Sequence, residues 1–99
     1  MEFEWDVRKA KRNLEKHGVA FEEAATVFAD TRSLELPDPM HSTKTETRCF
    51  RLGMSAYSRV LLIVFTERSS QDGYEVTRII SARPASKRER ESYRGADDA

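Results

Sequence analysis

Seventeen residues near the end of the chain, RIISARPASKRERESYR (Arg78 to Arg94), carry most of its candidate chemistry. From Arg83 to Arg94 five basic residues (Arg83, Lys87, Arg88, Arg90, Arg94) stand against two acidic ones (Glu89, Glu91), a local charge of +3 in a 99-residue chain of formal net charge zero. Arginine in such a cluster suits a phosphate site, because its planar fork donates two hydrogen bonds to one anion. The same pattern also fits a solvated helix face laced with Glu–Arg pairs. Arg78 is more pointed. It sits mid-strand on the face of Val76, where it needs a ligand or a structural salt bridge, for example to Glu67 or Glu75. Strict alternation puts Arg83 on the opposite face, although Pro84 follows at once and leaves its direction open. Tyr93, an aromatic among arginines, is placed to stack on a base or to donate a proton at a phosphate; it would serve equally as the anchor of the last helix.

His41 lies in the loop PDPMHSTKT near Asp38 and Glu46. Histidine is the residue type that changes charge near neutral pH, so it is a candidate general acid or base, and equally a plain exposed loop residue. His17 closes the first helix before Gly18 and reads as structural, a cation suited to the helix C-terminus. Cys49 stands alone between Arg48 and Phe50, which rules out an internal disulfide, fits a reducing compartment and reads as a packed strand residue. One cysteine and two distant histidines make no zinc site, and four scattered glycines make no phosphate loop. No metal and no cofactor are expected.

These residues must be held by a small set of elements. Charged residues make up 34% and hydrophobic ones 38%, the balance of a single soluble domain spanning 1–99, with a frayed tail at about 95–99. The start MEFEWD leads into charges with no apolar stretch, and Val60 to Phe65 is far too short to cross a bilayer, so no secretory leader and no membrane role are expected, and the location expected is cytoplasmic. Asp6 caps a helix running to about His17, with Gly18 as its stop and Val7, Ala10 and Leu14 as its apolar stripe. Phe21, Ala24, Ala25 and Phe28 define a second helix that ends near Asp30 and packs on the first as a hairpin. Ser33 to Leu36 is a short strand before the Pro-rich loop. ETRCFRLGM, RVLLIVFTE and YEVTRIISA follow as consecutive antiparallel strands, the second covered on both faces, with SSQDG as the last turn. Pro84 then opens a final helix at its first position, or Ser86 caps it with Glu89 completing a capping box. The fold class is α+β: two N-terminal helices, a sheet of three to four antiparallel strands and a short C-terminal helix.

Three stretches resemble the BrnT-type toxins: FEWDVRKAKRNLEKHGVAFEEAATVFAD (Phe3 to Asp30), PDPMHS (Pro37 to Ser42) with Arg48 following, and RIISARPASKRERESY (Arg78 to Tyr93). The segment SSQDGYEV is slightly longer than the hairpin usual there. The resemblance implies a RelE-like endoribonuclease fold, the toxin of a type II toxin–antitoxin system that degrades RNA, free or ribosome-associated, and arrests translation. It also implies a BrnA-type ribbon-helix-helix antitoxin that neutralises the toxin and, with it, represses the shared promoter, so that operator DNA is met through the antitoxin. Under that reading Arg78 and Arg83 clamp the transition state, Lys87, Arg88 and Arg90 add phosphate binding, Tyr93 is an acid or a stacking residue, and His41 is a second acid or base. Trp5, Leu14, Phe21 and Phe28 then form the joint between helices and sheet. The competing reading is a catalytically inactive toxin-like module that serves only as antitoxin partner and co-repressor; a third is an RNA-binding protein without chemistry.

Overall fold

Asp6 begins the first helix as expected: its Oδ1 accepts from the N–H groups of Arg8 (2.8 Å) and Lys9 (3.1 Å), satisfying two of the orphan donors of a helix start. Those same bonds hold its carboxyl below the usual range. The helix, α1 (Val7–His17), stops where Gly18 adopts φ 69° and donates its N–H to Leu14 O. The computed structural model describes residues 1–69 and 72–97; Ser70 and Gln71 of the expected SSQDG turn, and Asp98 and Ala99 of the tail, lie outside the described residues. No helix among the described residues is long and apolar enough to cross a membrane.

Of the expected stripe on α1, Ala10 packs against the core, but Val7 and Leu14 do not. Val7 is 77% and Leu14 51% exposed, whereas the buried residue of the helix is Asn13. Its amide donates to Val19 O (2.9 Å) and Ala82 O (2.8 Å), and its Oδ1 accepts from Ala82 N–H (3.1 Å). Hydrogen-bond demand at a strand edge thus outranks the apolar pattern in setting the helix rotation. Leu14 lies outside the joint, while Trp5, Phe21 and Phe28 do form it: Trp5 meets Phe21 edge-on at 5.9 Å, and Phe28 meets Phe3 at 5.2 Å and Phe65 at 5.0 Å.

The second helix is shorter than its apolar spacing predicted. Regular α2 (Phe21–Thr26) gives way to a 3-10 turn at Val27–Ala29 and ends at Asp30. Both α1 and α2 pack chiefly on the sheet.

That sheet has five strands, β1 (Glu2–Glu4), β2 (Leu34–Pro37), β3 (Arg48–Met54), β4 (Val60–Ser69) and β5 (Glu75–Pro84), in the order β1-β5-β4-β3-β2. Its β1 pairs parallel with β5, so the sheet is mixed, not purely antiparallel. Three residues are too few to show a period of two, which is why β1 escaped the sequence pattern. The remaining pairs are antiparallel, and β2 through β5 follow the expected order.

One face of the sheet takes the helices. Leu61 and Ile63 on β4, with Ile79 and Ala82 on β5, join Val19, Phe21, Ala24 and Val27 in the core. Gly53 on β3 belongs to this face: a Cβ there would stand 2.6 Å from Ser33 Cβ and 2.9 Å from Val27 Cγ1, so only glycine lets the 3-10 turn lie against the strand. The buried Glu23 of α2 fastens the β3–β4 turn, accepting from Ser55 Oγ (2.7 Å) and Arg59 Nε (2.9 Å), and Arg59 also donates to Gly18 O. The Arg59 bond holds the Glu23 carboxyl below its ordinary range against the opposing effect of burial.

The β4–β5 ladder contains one irregularity. Phe65 pairs with Ile79 but Val64 with Ser81, so Ile80 is an extra, bulged residue. Beyond it every β5 side chain changes face. At the C-terminus, Pro84 ends β5 and Ser86 caps α3 (Lys87–Asp97): Ser86 Oγ accepts from Glu89 N–H, and Glu89 Oε1 accepts from Ser86 N–H at 2.8 Å. The capping box is realised, and the helix continues past the expected Arg94 to Asp97.

Asn13→Ala would leave the N–H and C=O of Ala82 and the carbonyl of Val19 without their partners. The expected loss is about 3 kcal/mol, from the cost of unsatisfied buried groups, which lowers the thermal midpoint by roughly 10–20 °C in a domain of this size. Thermal unfolding followed by circular dichroism tests this; a drop of a degree or two would mean that water replaces the amide at no cost.

Candidate functional site

The face of the sheet opposite α1 and α2 carries the cations. On β4, Leu62, Val64 and Thr66 share it, and each has cross-strand neighbours on β3 and β5. Thr66 lies between Arg48 and Arg78; Val64 lies between Phe50 and Ser81; Leu62 lies between Leu52 and Arg83. The strip is apolar in the middle, edged by the exposed Leu36 of β2, with arginines at both ends. Thr66 and Leu62 are four residues apart, so the two ends stand about 13 Å apart along the strand.

The bulge at Ile80 decides what this face contains. Strict alternation placed Arg78 and Arg83 on opposite sides of the sheet. The extra residue brings both to the same side, Arg78 beside Thr66 and Arg83 beside Leu62. The expected partners of Arg78 are also replaced. Its carboxylate neighbour is Glu4, on the parallel strand β1 that the sequence pattern did not reveal, at 3.6 Å; Glu4 also meets Arg68 at 3.4 Å. Glu67 pairs with Thr77, on the opposite face.

The arginines of the fold divide by how tightly they are held. Arg83 makes a two-pronged pair with Glu89, at 2.7 and 2.9 Å, in the first turn of α3. This bond holds the Glu89 carboxyl at about 2 and pushes the Arg83 guanidinium up. Arg51, on the helix side, donates to Glu35 and Ser33 and lies over the rings of Phe28 and Phe65, 4.9 and 5.7 Å from their centres. By contrast Arg48 meets Glu46 only at 3.8 Å and Arg78 meets Glu4 only at 3.6 Å, both beyond hydrogen-bond length. Among the described residues neither of these two guanidinium groups makes a hydrogen bond.

His41 stands at the Arg48 end. Its Nδ1 is 2.9 Å from Oδ2 of the buried Asp38; a carboxylate only accepts, so the ring donates from Nδ1 and leaves Nε2 outward. The imidazole itself is 63% exposed. The loop that carries it is pinned to β3: Asp38 N–H donates to Arg48 O, and Ser42 Oγ donates to Asp38 O while accepting from Arg48 N–H.

The remaining expected residues gather elsewhere. Tyr93 donates its hydroxyl to Asp30 Oδ2 (2.7 Å), which also accepts from Met54 N–H. Burial alone would raise the Asp30 carboxyl, but the bonds from Met54, Tyr93 and Arg32 outweigh it and keep it low. The tyrosine therefore ties α3 to the end of the 3-10 turn and to β3, at the rim of an open groove of about 770 Å³ that Arg32 and Arg94 also line. Arg90 donates to Ala85 O in the segment just before its helix, and Lys87 and Arg88 are exposed on α3. The structure thus makes two groups of the expected residues: Arg78 and the His41 loop about the Arg48 end, and Arg83, Lys87, Arg88, Arg90 and Tyr93 about α3. Burial, with Glu35 and Glu67 nearby, raises the Cys49 thiol, which suits a packed side chain. No group of three or more His, Cys, Asp or Glu side chains placed to hold a metal ion occurs among the described residues.

Three residues of this face were not singled out from the residue pattern. Glu4 and Thr66 carried no signal, because their importance lies in cross-strand neighbours; Arg48 was noticed only through the resemblance.

A family model described as the ribonuclease toxin BrnT of type II toxin–antitoxin systems matches residues 5–89. The match takes in His41, Arg48, Thr66, Arg78, Arg83 and Glu89 and stops short of Arg90 and Tyr93. Among curated proteins nothing matches the chain.

The Arg83–Glu89 pair gives acid unfolding a definite shape. Glu89 titrates at about 2 when folded and near 4.5 when free, so on acidification the unfolded chain takes up the proton first. Its contribution to stability is complete above pH about 4.5 and is lost as pH falls towards 2. Glu89→Gln should flatten the pH dependence of urea unfolding across that window. A variant curve parallel to wild type throughout would show that the pair adds nothing to stability.

Proposed function

The chain belongs to the BrnT family of ribonuclease toxins of type II toxin–antitoxin systems, and from that membership we propose that it is a RelE-like endoribonuclease that cleaves RNA on the open face of the sheet. In this reading the 2′-hydroxyl attacks the adjacent phosphorus, the P–O5′ bond breaks and a 2′,3′-cyclic phosphate forms. A base takes the 2′ proton, an acid protonates the leaving 5′ oxygen, and fixed cations hold the phosphorane charge. The single observation that best supports it is that Arg78 and Arg83 emerge on one face, with an apolar strip between them on which bases can lie.

Arg78 is the transition-state clamp, because its guanidinium is loosely paired and its donors are available to a phosphate. Arg83 holds a second phosphate or the leaving group after exchanging Glu89 for RNA, with Lys87 and Arg88 extending the positive edge. His41 is the acid or base, its ring oriented by Asp38 as a carboxylate orients a catalytic imidazole. Tyr93, with its hydroxyl given to Asp30, positions α3. The protein acts in the cytoplasm, arrests translation by degrading RNA, and is neutralised by a BrnA-like ribbon-helix-helix antitoxin, with which it represses its own operon.

Expression without an antitoxin tests this reading. Wild type should arrest growth, and the purified protein should cleave RNA or ribosome-bound RNA. Arg78→Ala should lower cleavage about 100-fold or more, the usual scale for removing one transition-state donor, with its thermal midpoint little changed. Arg83→Ala should lose activity too, but with a destabilisation that Arg78→Ala lacks. Intact RNA and normal growth with soluble wild-type protein would replace this reading with that of an inactive partner and co-repressor.

A further inference from the structure

The hydroxyl of Thr66 is the least explained group in the molecule. Thr66 is 0% exposed, yet its Oγ1 makes no hydrogen bond. Among other buried polar side chains, Asn13 is engaged by Ala82 and Val19, Glu23 by Arg59 and Ser55, and Asp38 by His41. Arg51 Nε also lacks a partner, but that guanidinium is held by Glu35 and Ser33 and by two aromatic rings. For Thr66 nothing compensates. Valine would fill the same volume on a strand with equal propensity and no desolvated oxygen, so packing does not account for a threonine here.

Its surroundings do. Thr66 stands on the open face directly between Arg48 and Arg78, whose guanidinium groups make no hydrogen bond among the described residues. Both side chains are 32% exposed and only loosely paired, at 3.8 and 3.6 Å. Two cationic forks, each loosely paired to a carboxylate and making no hydrogen bond, thus flank one hydroxyl without a partner on adjacent strands of the same face. A tetrahedral oxyanion presents several acceptor oxygens at once and satisfies all three. Because the hydroxyl is buried, the anion reaches it only when a flanking guanidinium swings aside, which the loose pairs to Glu46 and Glu4 permit.

We infer that Arg48, Thr66 and Arg78 form a phosphate-binding site on the open face of the sheet, in which the Thr66 hydroxyl donates to a non-bridging oxygen of an RNA phosphodiester. The choice of RNA as the source of the phosphate rests on the proposed ribonuclease reading; the anion chemistry does not. Thr66 is then a residue kept for ligand binding at a cost in stability, which makes an unusual pair of expectations: removing its hydroxyl should stabilise the fold and weaken the site.

The test compares wild type, Thr66→Val and Thr66→Ser for thermal midpoint, for binding of inorganic phosphate and of a 2′-O-methyl oligoribonucleotide that cannot be cleaved, and for cleavage of unmodified RNA. Thr66→Val should melt no lower than wild type, bind the oligonucleotide on the order of tenfold more weakly, as expected for loss of a hydrogen bond to a charged group, and cleave more slowly. Thr66→Ser should recover most of the binding. If Thr66→Val does not fold, Thr66→Ala with Thr66→Ser carries the same comparison. Equal binding by all variants overturns the site, whether or not wild type cleaves RNA. Hydroxyl-dependent binding of phosphate or oligonucleotide with no cleavage by wild type supports the site and removes the ribonuclease reading. Binding of inorganic phosphate but not of the oligonucleotide overturns RNA as the source.

Discussion

The structure turns on the amide of Asn13. A short β1 covers β5 only at Val76 to Arg78, so farther along that edge the peptide groups of β5 face the helix layer. Asn13 offers Ala82 both a donor and an acceptor, as a neighbouring strand would, and with the same amide holds Val19 at the entry to α2. One side chain therefore fixes the rotation of α1, the start of α2 and the far half of β5. The bulge at Ile80 sits between the part of β5 that β1 pairs and the residue that Asn13 pins. On either side of it the strand runs in a different phase.

That change of phase connects the scaffold to the chemistry. With the bulge, one face of the sheet carries Arg78, Thr66 and Arg48 at one end and Arg83 at the other, over an apolar strip. The opposite face is filled by the core, and the arginine over its aromatic rings, Arg51, is held by Glu35 and Ser33. The fold spends its strong ion pairs on structure: Arg59 with Glu23 holds the β3–β4 turn, and Arg83 with Glu89 holds α3 to the sheet. Arg48 and Arg78 are left in loose contact with Glu46 and Glu4, where the desolvation cost of a tight pair is avoided and an incoming anion competes easily. Zero net charge is consistent with this arrangement, since a focused phosphate site needs local donors and no broad positive field.

What the sequence by itself determined is local. Period-two alternation marked β3, a continuous apolar run marked β4 and the turn before YEVTRIISA marked β5, the Asp6 and Gly18 signals bounded α1, and the Ser86–Glu89 box set the start of α3, because each depends on neighbours within a few residues. The residue types of the basic segment pointed to phosphate chemistry, and the long motifs pointed to the right family. Tertiary structure decided the rest, for reasons that no local pattern contains. The three residues of β1 form a strand only because β5 offers an edge to pair with. Asn13 displaces Val7 and Leu14 from the buried side of α1 because an unsatisfied strand edge costs more than two exposed aliphatic side chains. The bulge moves Arg83 across the sheet, and Thr66 gains its meaning solely from the two arginines that the neighbouring strands bring beside it. Alternation is a property of one strand, whereas register, and with it the composition of the face, is a property of pairs of strands far apart in the chain.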